Sequence, residues 1–421
     1  MLKSSYSRFV AASGFTNLAD GIAVVAWAWL ASLLTRDPLL VALVPVMLRL
    51  PWFFFAIPAG IITDRTDRRR LILLMDIVRA VAFLGAAIAI WLNLPFADAP
   101  ASGTSNNALF ILILIAASVV GVAEVFRDNA AQTMLPSIVP HEDLEKANGR
   151  LWSVEMVGNA LLGPAVGAFL LAIWVPLPFT MNFLLFLLAV VLVLSLSGNF
   201  SPAKRSERDW KAEFREGFEF LKKAPLMRAM AWLTGFWNLL FHMTLIGLVL
   251  HSQENLGFDA RTYGLVLAAG AIGGIAGGFL GEHVVKIFGS NRAAQLALAS
   301  SAPAFACMAI APGPISLGIV LAVFEFTGIV WNTVSVSYRQ RLIPDELLGR
   351  VNSLYRLLAW GMMPIGLLLS GILVTIFESI TTREIALTTP FWAAALGSIM
   401  LTIGGWSVLK TGVFDVPSSR T

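Results

Sequence analysis

Long apolar stretches separated by short polar segments recur along the whole chain. Each stretch reaches the roughly 20 residues that an α-helix needs to cross the hydrocarbon core of a bilayer. A helix satisfies its own backbone hydrogen bonds in lipid, so these stretches are predicted to be helical. The pattern predicts an all-α integral membrane protein with twelve transmembrane helices, near residues 9–34, 39–62, 71–94, 108–130, 149–174, 178–198, 226–250, 262–286, 293–311, 315–339, 350–376 and 389–410.

The composition agrees with a membrane protein and argues against several other classes. Hydrophobic residues make up 57% of the 421 residues, charged residues make up 13%, and the mean hydropathy is +0.77. Soluble domains are about a quarter charged. The single cysteine, Cys307, excludes an intramolecular disulfide, and the four histidines show no metal-ligand spacing. We expect no metal, no cofactor and, without a phosphate-binding loop motif, no ATP hydrolysis.

Lysine and arginine are distributed unevenly between the predicted loops. Most of the 30 lie at the termini or in the even-numbered loops, whereas Arg36, Arg261 and Arg383 lie on the opposite face. Because basic residues concentrate on the cytoplasmic side, both termini are predicted to be cytoplasmic. The net charge of +4 reflects this bias, and no nucleic-acid partner is expected.

The longest predicted cytoplasmic connection, residues 199–225, separates two six-helix bundles at residues 1–198 and 226–421. Apolar residues recur within this linker at helical spacing, at positions Trp210, Phe214, Phe218 and Leu221. Basic residues lie between them, which predicts an amphipathic helix on the inner membrane surface. A solvated linker whose aromatic residues contact nothing specific is the alternative.

The two halves repeat each other in sequence. Residues 140–148 correspond in fixed register to residues 344–352, and the register continues to Gly167 against Gly371. Both segments precede a span, the fifth and the eleventh. Two pseudo-symmetric six-helix bundles of this kind indicate a rocker-type transporter, with a substrate site near the membrane midplane between the halves.

The hairpin at residues 60–70 carries six charges between two apolar spans. A membrane protein keeps so much charge in a tight turn when the charges find partners as the flanking helices move. The hairpin therefore predicts a mechanical element of a transporter. The alternative is a solvated basic loop that only sets the topology.

The motifs together resemble the major facilitator superfamily, in particular its twelve-helix bacterial drug-efflux branch of macrolide exporters, Tap-type multidrug pumps and enterobactin exporters. The family's loop signature is Gly-x-x-x-Asp-Arg-x-Gly-Arg-Arg, and the matching positions are Gly60, Asp64, Arg65, Arg68 and Arg69. Asp67 replaces the second glycine, so the turn must form without a residue that is free to adopt positive φ. Further matches are Asn17, Asp20, Gly21 and Asp128.

The resemblance implies a cytoplasmic gate built on this hairpin. When the inner gate is shut, Asp64 is expected to face the positive N-terminal end of the eleventh helix, near Gly349 and Arg350. Arg68 is expected to pair with Asp128 in the same state. Opening inward would break both contacts.

A motif in the fifth span bears on the direction of transport. Gly163, Pro164 and Gly167, followed by Ala168, are similar to the Gly-Pro-x-x-Gly-Gly signature of antiporters. Glycine and proline let two helices approach closely and bend the span. The motif favours export, and ordinary helix packing is the alternative.

Acidic residues inside the spans are candidates for proton coupling, because an ionisable side chain at mid-bilayer costs about 2.5–3.5 kcal/mol. The candidates are Asp20, Glu124, Glu155 and Glu325. For Asp20 the equal alternative is permanent pairing with a cation such as Arg49, and each of the others is equally compatible with a structural ion pair. Asp76 and Arg79, three residues apart on one helix face, are expected to pair with each other.

Aromatic and polar residues on the expected cavity-lining helices are candidates for substrate contact. Stacking and cation–π contact suit a bulky apolar or cationic substrate. These candidates are Asn17, Trp27, Arg49, Phe236, Trp237, Asn238, His242 and Trp331. A lone histidine within a span is more often a packing hydrogen bond than a ligand.

These features predict a secondary active transporter, not an enzyme, in the cell inner membrane. We expect a monomer, in contact with membrane lipid, that exports a small amphiphilic or drug-like molecule by proton antiport with alternating access. A lysophospholipid or siderophore transporter of the same superfamily is the alternative. A membrane receptor or membrane-embedded enzyme is less favoured, since no sensor domain or catalytic cluster is found.

Overall fold

The structure is a computed structural model of the 421-residue chain. It describes residues 2–63, 65–140, 144–198, 200, 210–343, 351, 354–355, 357–411 and 414. Every helix or strand element found among these residues is a helix. The predicted all-α class is confirmed.

The helices of the N-terminal part follow one another with short connections. They are α1 (Leu2–Leu34), α2 (Pro38–Thr63), α3 (Arg68–Leu92), α4 (Asn107–Met134), α5 (Leu144–Glu155), α6 (Gly163–Ile173) and α7 (Leu177–Leu194). A 3-10 turn, Leu135–Ser137, follows α4, and a π-helical segment, Met156–Leu162, joins α5 to α6.

The remaining helices begin after residues 201–209, which lie outside the described part of the chain. They are α8 (Trp210–Lys223), α9 (Pro225–Glu254), α10 (Ala260–Phe288), α11 (Ser290–Ala299), α12 (Ser301–Ile310), α13 (Pro314–Leu342), α14 (Met363–Glu378), α15 (Arg383–Ala386) and α16 (Thr389–Thr411).

Twelve helical segments within the described residues are long and apolar enough to cross a membrane, as predicted. Their ends differ from the sequence-based limits by a few residues. The fifth runs over Ser153–Ile173, the sixth over Leu177–Leu194 and the twelfth over Arg383–Thr411. The fifth span combines the end of α5, the π-helical segment and α6, and the ninth combines α11 with α12.

The chain forms two compact units. Unit 1 comprises Met1–Arg205 together with Ser252–Ala268, and unit 2 comprises Ser206–His251 together with Ala269–Thr421. Residues 252–268, which belong to the C-terminal half of the sequence, therefore pack with the N-terminal helices. We call residues 252–268 the outer segment.

Glycines bring the fifth span into direct backbone contact with α1. A Cβ at Gly163 would lie 2.5 Å from the Cα of Gly21, and a Cβ at Gly167 would lie 2.8 Å from the carbonyl oxygen of Ile22. Pro164 lies where the π-helical segment passes into α6, and its missing N–H interrupts the helical hydrogen-bond pattern there. The close approach expected from the antiporter-like motif is therefore present between α1 and α6.

The hairpin at residues 60–70 turns without a left-handed residue at the position of the missing glycine. Asp67 has φ −59° and caps α3, because its Oδ1 accepts a hydrogen bond from the Arg70 N–H at 3.0 Å. Arg69 donates from Nε to the carbonyl oxygen of Val193 at 3.0 Å and from Nη2 to that of Leu194. These bonds fasten the hairpin to the end of α7. Asp64 lies outside the described residues.

Two further predictions concern segments that the structure describes only in part. The linker does contain a helix, α8, in which Leu221 is buried and Phe218 is exposed. Its location on the membrane surface stays a prediction. The internal repeat also stays a prediction, because residues 141–143 and 344–350 lie outside the described part of the chain.

We predict that Gly163→Ala lowers the free energy of unfolding by about 1–3 kcal/mol, because the added methyl group overpacks the contact with Gly21. The matched control is Gly85→Ala in α3, where a Cβ meets no atom within 4 Å. Thermal unfolding in detergent measures both changes. Equal stability of the two variants would contradict a backbone contact between α1 and α6.

Candidate functional site

Charged side chains from four helices of unit 1 meet within its membrane-spanning part. Asp20 on α1 receives a hydrogen bond from Nη2 of Arg79 on α3. The Arg79 side chain is almost fully buried, and its guanidinium carbon lies 4.1 Å from the centre of the Phe186 ring. The cation is therefore held between a carboxylate and an aromatic face, an arrangement that stabilises a desolvated guanidinium.

Arg127 on α4 is shared by two carboxylates. Its Nε lies 3.7 Å from Asp76 Oδ1 on α3, and its Nη1 lies 3.3 Å from Asp128 Oδ1 on the same helix. Its Nη2 donates to the Thr16 hydroxyl on α1 at 2.9 Å. One buried guanidinium thus links α1, α3 and α4.

A third arginine extends the cluster to α2. Arg49 Nη1 lies 3.3 Å from Glu124 Oε1 on α4, one turn before Asp128. The charges at Asp20 interact with Arg79, Asp128, Arg127 and Arg49, so the separate pairs form one electrostatic unit. We call the seven residues Asp20, Arg49, Asp76, Arg79, Glu124, Arg127 and Asp128 the charge network.

The charge network holds four carboxylates and three guanidinium groups. If every member is ionised, it carries one uncompensated negative charge in a medium where charge is costly. Asp76 is the most buried acid, with 0% of its side chain exposed, and neither of its oxygens accepts a hydrogen bond from a described residue. Asp128 is 34% exposed and is the most accessible of the four acids. One proton would neutralise the cluster.

One pairing expected from the sequence is wrong, and the cation named as an example for the alternative at Asp20 is not its partner. Asp76 and Arg79 do not pair with each other, because their side chains reach different helices: Asp76 faces α4 and Arg79 faces α1. The cation beside Asp20 is Arg79 and not Arg49. Sequence reasoning also missed Arg127, which lies inside the predicted fourth span, where any ionisable residue requires a partner.

The predicted gate residues lie in the hairpin at residues 60–70 and in the C-terminal part of α4. Gly60 is half-buried near the end of α2, and Arg65 is exposed in the turn. The Arg68 backbone N–H donates to the carbonyl oxygen of Phe200 at 3.3 Å. In this conformation Asp128 contacts Arg127. The expected contact between Arg68 and Asp128 belongs to a state with the inner gate shut, so the gate stays a prediction.

The cavity candidates of the first span lie inside unit 1. Asn17 is buried and donates from Nδ2 to the Ser13 carbonyl oxygen at 2.8 Å. Trp27 is 1% exposed and packs against Phe83 and Phe179, with ring centres 5.6 and 4.9 Å away. Trp27 is therefore a core residue in this conformation, because its ring has almost no accessible face for a substrate.

Unit 2 presents a half-buried aromatic group on α9. The rings of Trp237 and Phe241 stack at 5.6 Å, and Trp237 also stacks on Phe324 of α13 at 5.2 Å. His242 Nδ1 lies 2.8 Å from the Asn238 carbonyl oxygen, and Asn238 Nδ2 donates to Ala359. Trp237, Asn238 and His242 thus lie within one and a half turns of α9, as the sequence predicted.

Two other aromatic candidates have different surroundings. Trp331 is buried and donates from Nε1 to the Thr234 hydroxyl at 3.1 Å, which makes it part of the core of unit 2. Phe236 is 42% exposed and stacks on Trp232 at 5.9 Å, one turn before it on α9. Trp237 packs against the buried cluster that contains Trp331, whereas Phe236 is its neighbour on α9 and stacks on Trp232.

The remaining acidic candidates differ in environment. Glu325 is half-buried on α13 and packs against the glycine face of α10, with Cβ or Cγ within 4 Å of where a Cβ would stand at Gly270 and Gly274. It makes no ion pair or hydrogen bond with any described residue. Glu155 is exposed at the end of α5. The described residues hold no group of three or more side chains suited to a metal ion.

A second polar cluster of unit 1 lies at the opposite end of α1. Arg36 Nη1 donates to Gln253 Oε1 at 2.5 Å and lies 3.8 Å from Glu254 Oε1. Gln253 Nε2 donates to the Ser32 hydroxyl at 2.8 Å. Two residues at the end of α1, Ser32 and Arg36, are thereby bonded to the outer segment.

The outer segment also packs closely on the antiporter-like motif. At Gly264 a Cβ would collide with the Cβ of Ala168 and lie 3.0 Å from the carbonyl oxygen of Pro164. Tyr263 lies against Trp29 with ring centres 5.8 Å apart. The fifth span therefore contacts α1 on one side and the outer segment on another.

Twelve apolar spans and a buried ionic cluster define the chain as a multi-pass membrane protein. The family model of the Major Facilitator Superfamily matches residues 9–367, and the chain belongs to this family of transporters. The resemblance inferred from the loop signature is confirmed.

Several relatives are named as efflux pumps. The chain is 26% identical over 376 residues to the multidrug efflux pump Tap of Mycolicibacterium fortuitum, covering 84% of this chain and 85% of that protein. It is 25% identical over 423 residues to the Tap pump of Mycobacterium tuberculosis, covering 94% and 92%. Among solved structures, a point mutant of the nucleoside transporter NupG has a TM-score of 0.76 at 11% identity, covering 96% of this chain and 99% of that chain, which shows the shared fold.

We predict that Arg127→Gln destabilises the protein by about 3–5 kcal/mol, because it leaves the buried Asp76 without its cation. Asp76→Asn in the same chain is expected to restore much of this loss, which a double-mutant cycle of thermal unfolding in detergent will measure.

The control is Arg215→Gln, which removes an exposed arginine paired with Glu219 and is expected to change stability by less than about 1 kcal/mol. Strict additivity of Arg127→Gln and Asp76→Asn would show that the two side chains do not interact.

Proposed function

We propose that this transporter exports a small amphiphilic, drug-like molecule across the cell inner membrane in exchange for protons. The similarity to pumps named for multidrug efflux, over 84–94% of the chain, supports export of such molecules. The proposed cycle is alternating access, in which residues 1–198 move against residues 226–421 with both termini in the cytoplasm.

The charge network is the observation that supports proton coupling. A buried cluster with four acids and three arginines is neutral only when it binds one proton. Asp20 and Glu124 each have an arginine of their own, whereas Asp76 and Asp128 share Arg127. The exchangeable proton is therefore assigned to the Asp76–Arg127–Asp128 group.

The different accessibility of the two acids suggests a route for the proton. Asp128 is partly exposed and exchanges protons with water, and Asp76 is enclosed and holds the proton while the cluster is closed. When Asp76 is protonated, Arg127 is free to pair with Asp128 alone. When Asp76 is ionised, Arg127 must pair with both carboxylates at once or move from one to the other. Such a two-state arrangement links protonation to the relative positions of α3 and α4.

The half-buried aromatic group of unit 2 suits an amphiphilic substrate. Trp237 and Phe241 offer flat apolar faces, and the neighbouring His242 offers a polar ring nitrogen. Stacking of this kind tolerates varied substrates because it does not depend on a fixed hydrogen-bond pattern. A cationic substrate would gain cation–π contact with the same rings.

The test of the function is transport by the purified protein in liposomes with an imposed pH gradient and a panel of dyes, antibiotics, lysophospholipids and siderophores. Gradient-dependent movement of a dye or antibiotic, abolished by an uncoupler, is expected. Movement of a lysophospholipid or siderophore alone would favour the alternative substrates. No gradient-dependent movement of any compound would refute proton-coupled export.

We predict that Asp128→Asn abolishes gradient-driven accumulation and leaves substrate exchange without a gradient intact, because it removes the water-accessible acid. A gradient of one pH unit supplies about 1.4 kcal/mol per proton, or up to about tenfold accumulation of a neutral substrate. The variant is expected to show a concentration ratio near one.

The matched control is Glu282→Gln, which removes an exposed acid on α10 that pairs with Lys286. It is expected to accumulate substrate as the parent protein does. Full accumulation by Asp128→Asn would exclude Asp128 from the proton route and leave Asp20, Glu124, Glu155 and Glu325 to be tested in the same way.

We predict that a cleavable bifunctional thiol reagent that cross-links Ser32→Cys to Gln253→Cys, in a Cys307→Ser background, stops transport until the cross-link is reduced. The two side chains are hydrogen-bonded at 2.8 Å, and alternating access requires the outer segment to leave α1 in each cycle. Substrate flux before and after reduction measures the effect.

The control uses the same reagent to cross-link Asn93→Cys to Asn106→Cys, whose side chains are hydrogen-bonded at 2.7 Å in the connection between α3 and α4. It is expected to leave transport unchanged. Undiminished flux through the protein with the Ser32–Gln253 cross-link fully formed would contradict alternating access at this position.

A further inference from the structure

Unit 2 contains a groove of about 640 Å³ at one end of its helices. The groove lies where α9 begins and where α13 and α16 end. Arg228 and Trp232 of α9, Tyr338 of α13 and Val408 of α16 contribute to its lining. It is separate from the charge network, which belongs entirely to unit 1.

Tyr338 places a hydrogen-bonding hydroxyl group at the groove. The residue is only 5% exposed, and its ring packs edge-on against Phe414 at 5.5 Å. Its hydroxyl makes no hydrogen bond with any described residue. Because the hydroxyl oxygen is not fully enclosed by protein, it can donate a hydrogen bond to a molecule in the groove.

Basic residues lie at and around the same groove. Arg228 is exposed at the groove, and only its Nη1 is used, in a bond to the Lys222 carbonyl oxygen at 2.8 Å. Its other N–H groups remain available for a ligand. Lys222 and Lys223 are exposed in the last turn of α8, and Lys410 is exposed next to Thr411 of the groove. An anionic group would be attracted here.

An apolar stripe runs away from the groove along α9. Trp232 and Phe236, each 42% exposed, follow Arg228 at intervals of four residues and stack on each other. Gly235 contacts Leu358 on one side of this stripe, and Leu233 contacts Gly405 of α16 on the other. The stripe is therefore exposed between these two contacts, and a lipid chain can cover it.

We propose that the groove binds the headgroup of an anionic phospholipid from the adjacent leaflet. The phosphate accepts hydrogen bonds from the guanidinium of Arg228 and from the hydroxyl of Tyr338, and an acyl chain lies along Trp232 and Phe236. Basic pockets between helices at the membrane boundary recognise anionic headgroups in this way. The apolar stripe next to the cation favours a lipid over a free anion.

Native mass spectrometry of the delipidated full-length protein, titrated with phosphatidylglycerol or phosphatidylcholine, tests the proposal. Phosphatidylglycerol is expected to bind more tightly than phosphatidylcholine. Arg228→Gln is expected to weaken phosphatidylglycerol binding about tenfold, which is the typical effect of losing one charge-assisted hydrogen bond. Tyr338→Phe keeps the contact with Phe414, removes the hydroxyl and is expected to weaken binding in the same direction.

The matched control is Arg292→Gln, an exposed arginine in the first turn of α11 outside the groove. It is expected to leave lipid binding unchanged. Equal affinity for the two lipids, or unchanged affinity in both groove variants, would overturn the proposal. Displacement of phosphatidylglycerol by millimolar inorganic phosphate alone would also overturn it, since the site would then be a free-anion site. These outcomes do not depend on whether transport is proton-coupled.

Discussion

The sharing of one buried guanidinium by two carboxylates is the constraint on which the rest of unit 1 depends. Arg127 cannot neutralise Asp76 and Asp128 at once, and the low-dielectric interior makes the leftover charge costly. The cluster can relieve this cost by binding a proton or by moving its helices. Both responses are useful to a transporter.

The charge network is held in place by the close packing of α1. Asp20 is followed at once by Gly21, whose backbone touches Gly163 of the fifth span. Because that contact leaves no room for a side chain, it fixes the rotation of α1 and thereby directs Asp20 toward Arg79. The antiporter-like motif and the ionic cluster are therefore parts of one arrangement. A change in the packing of the fifth span against Gly21 would therefore also shift the side chain of Asp20.

The outer segment ties the same helices to the C-terminal half of the sequence. It is bonded to α1 through Gln253 and rests on the fifth span through Gly264. Both contacts are made of small residues and neutral or exposed polar groups, which separate at lower cost than buried ion pairs. The contacts expected to break in a cycle are thus the weaker ones, whereas the buried pairs hold unit 1 together.

The sequence by itself determined the twelve spans, the family and the positions where charge enters the membrane. These features are local: a run of apolar residues, a loop signature, or an aspartate inside a span can each be recognised without knowing its neighbours. It did not determine which charges meet. Asp20 and Arg79 are 59 residues apart, and the pairing predicted between Asp76 and Arg79 rested on helix spacing alone. Partner choice depends on how each helix is rotated in the bundle, which the glycine contacts decide, so only the tertiary structure revealed Arg127 as the shared cation.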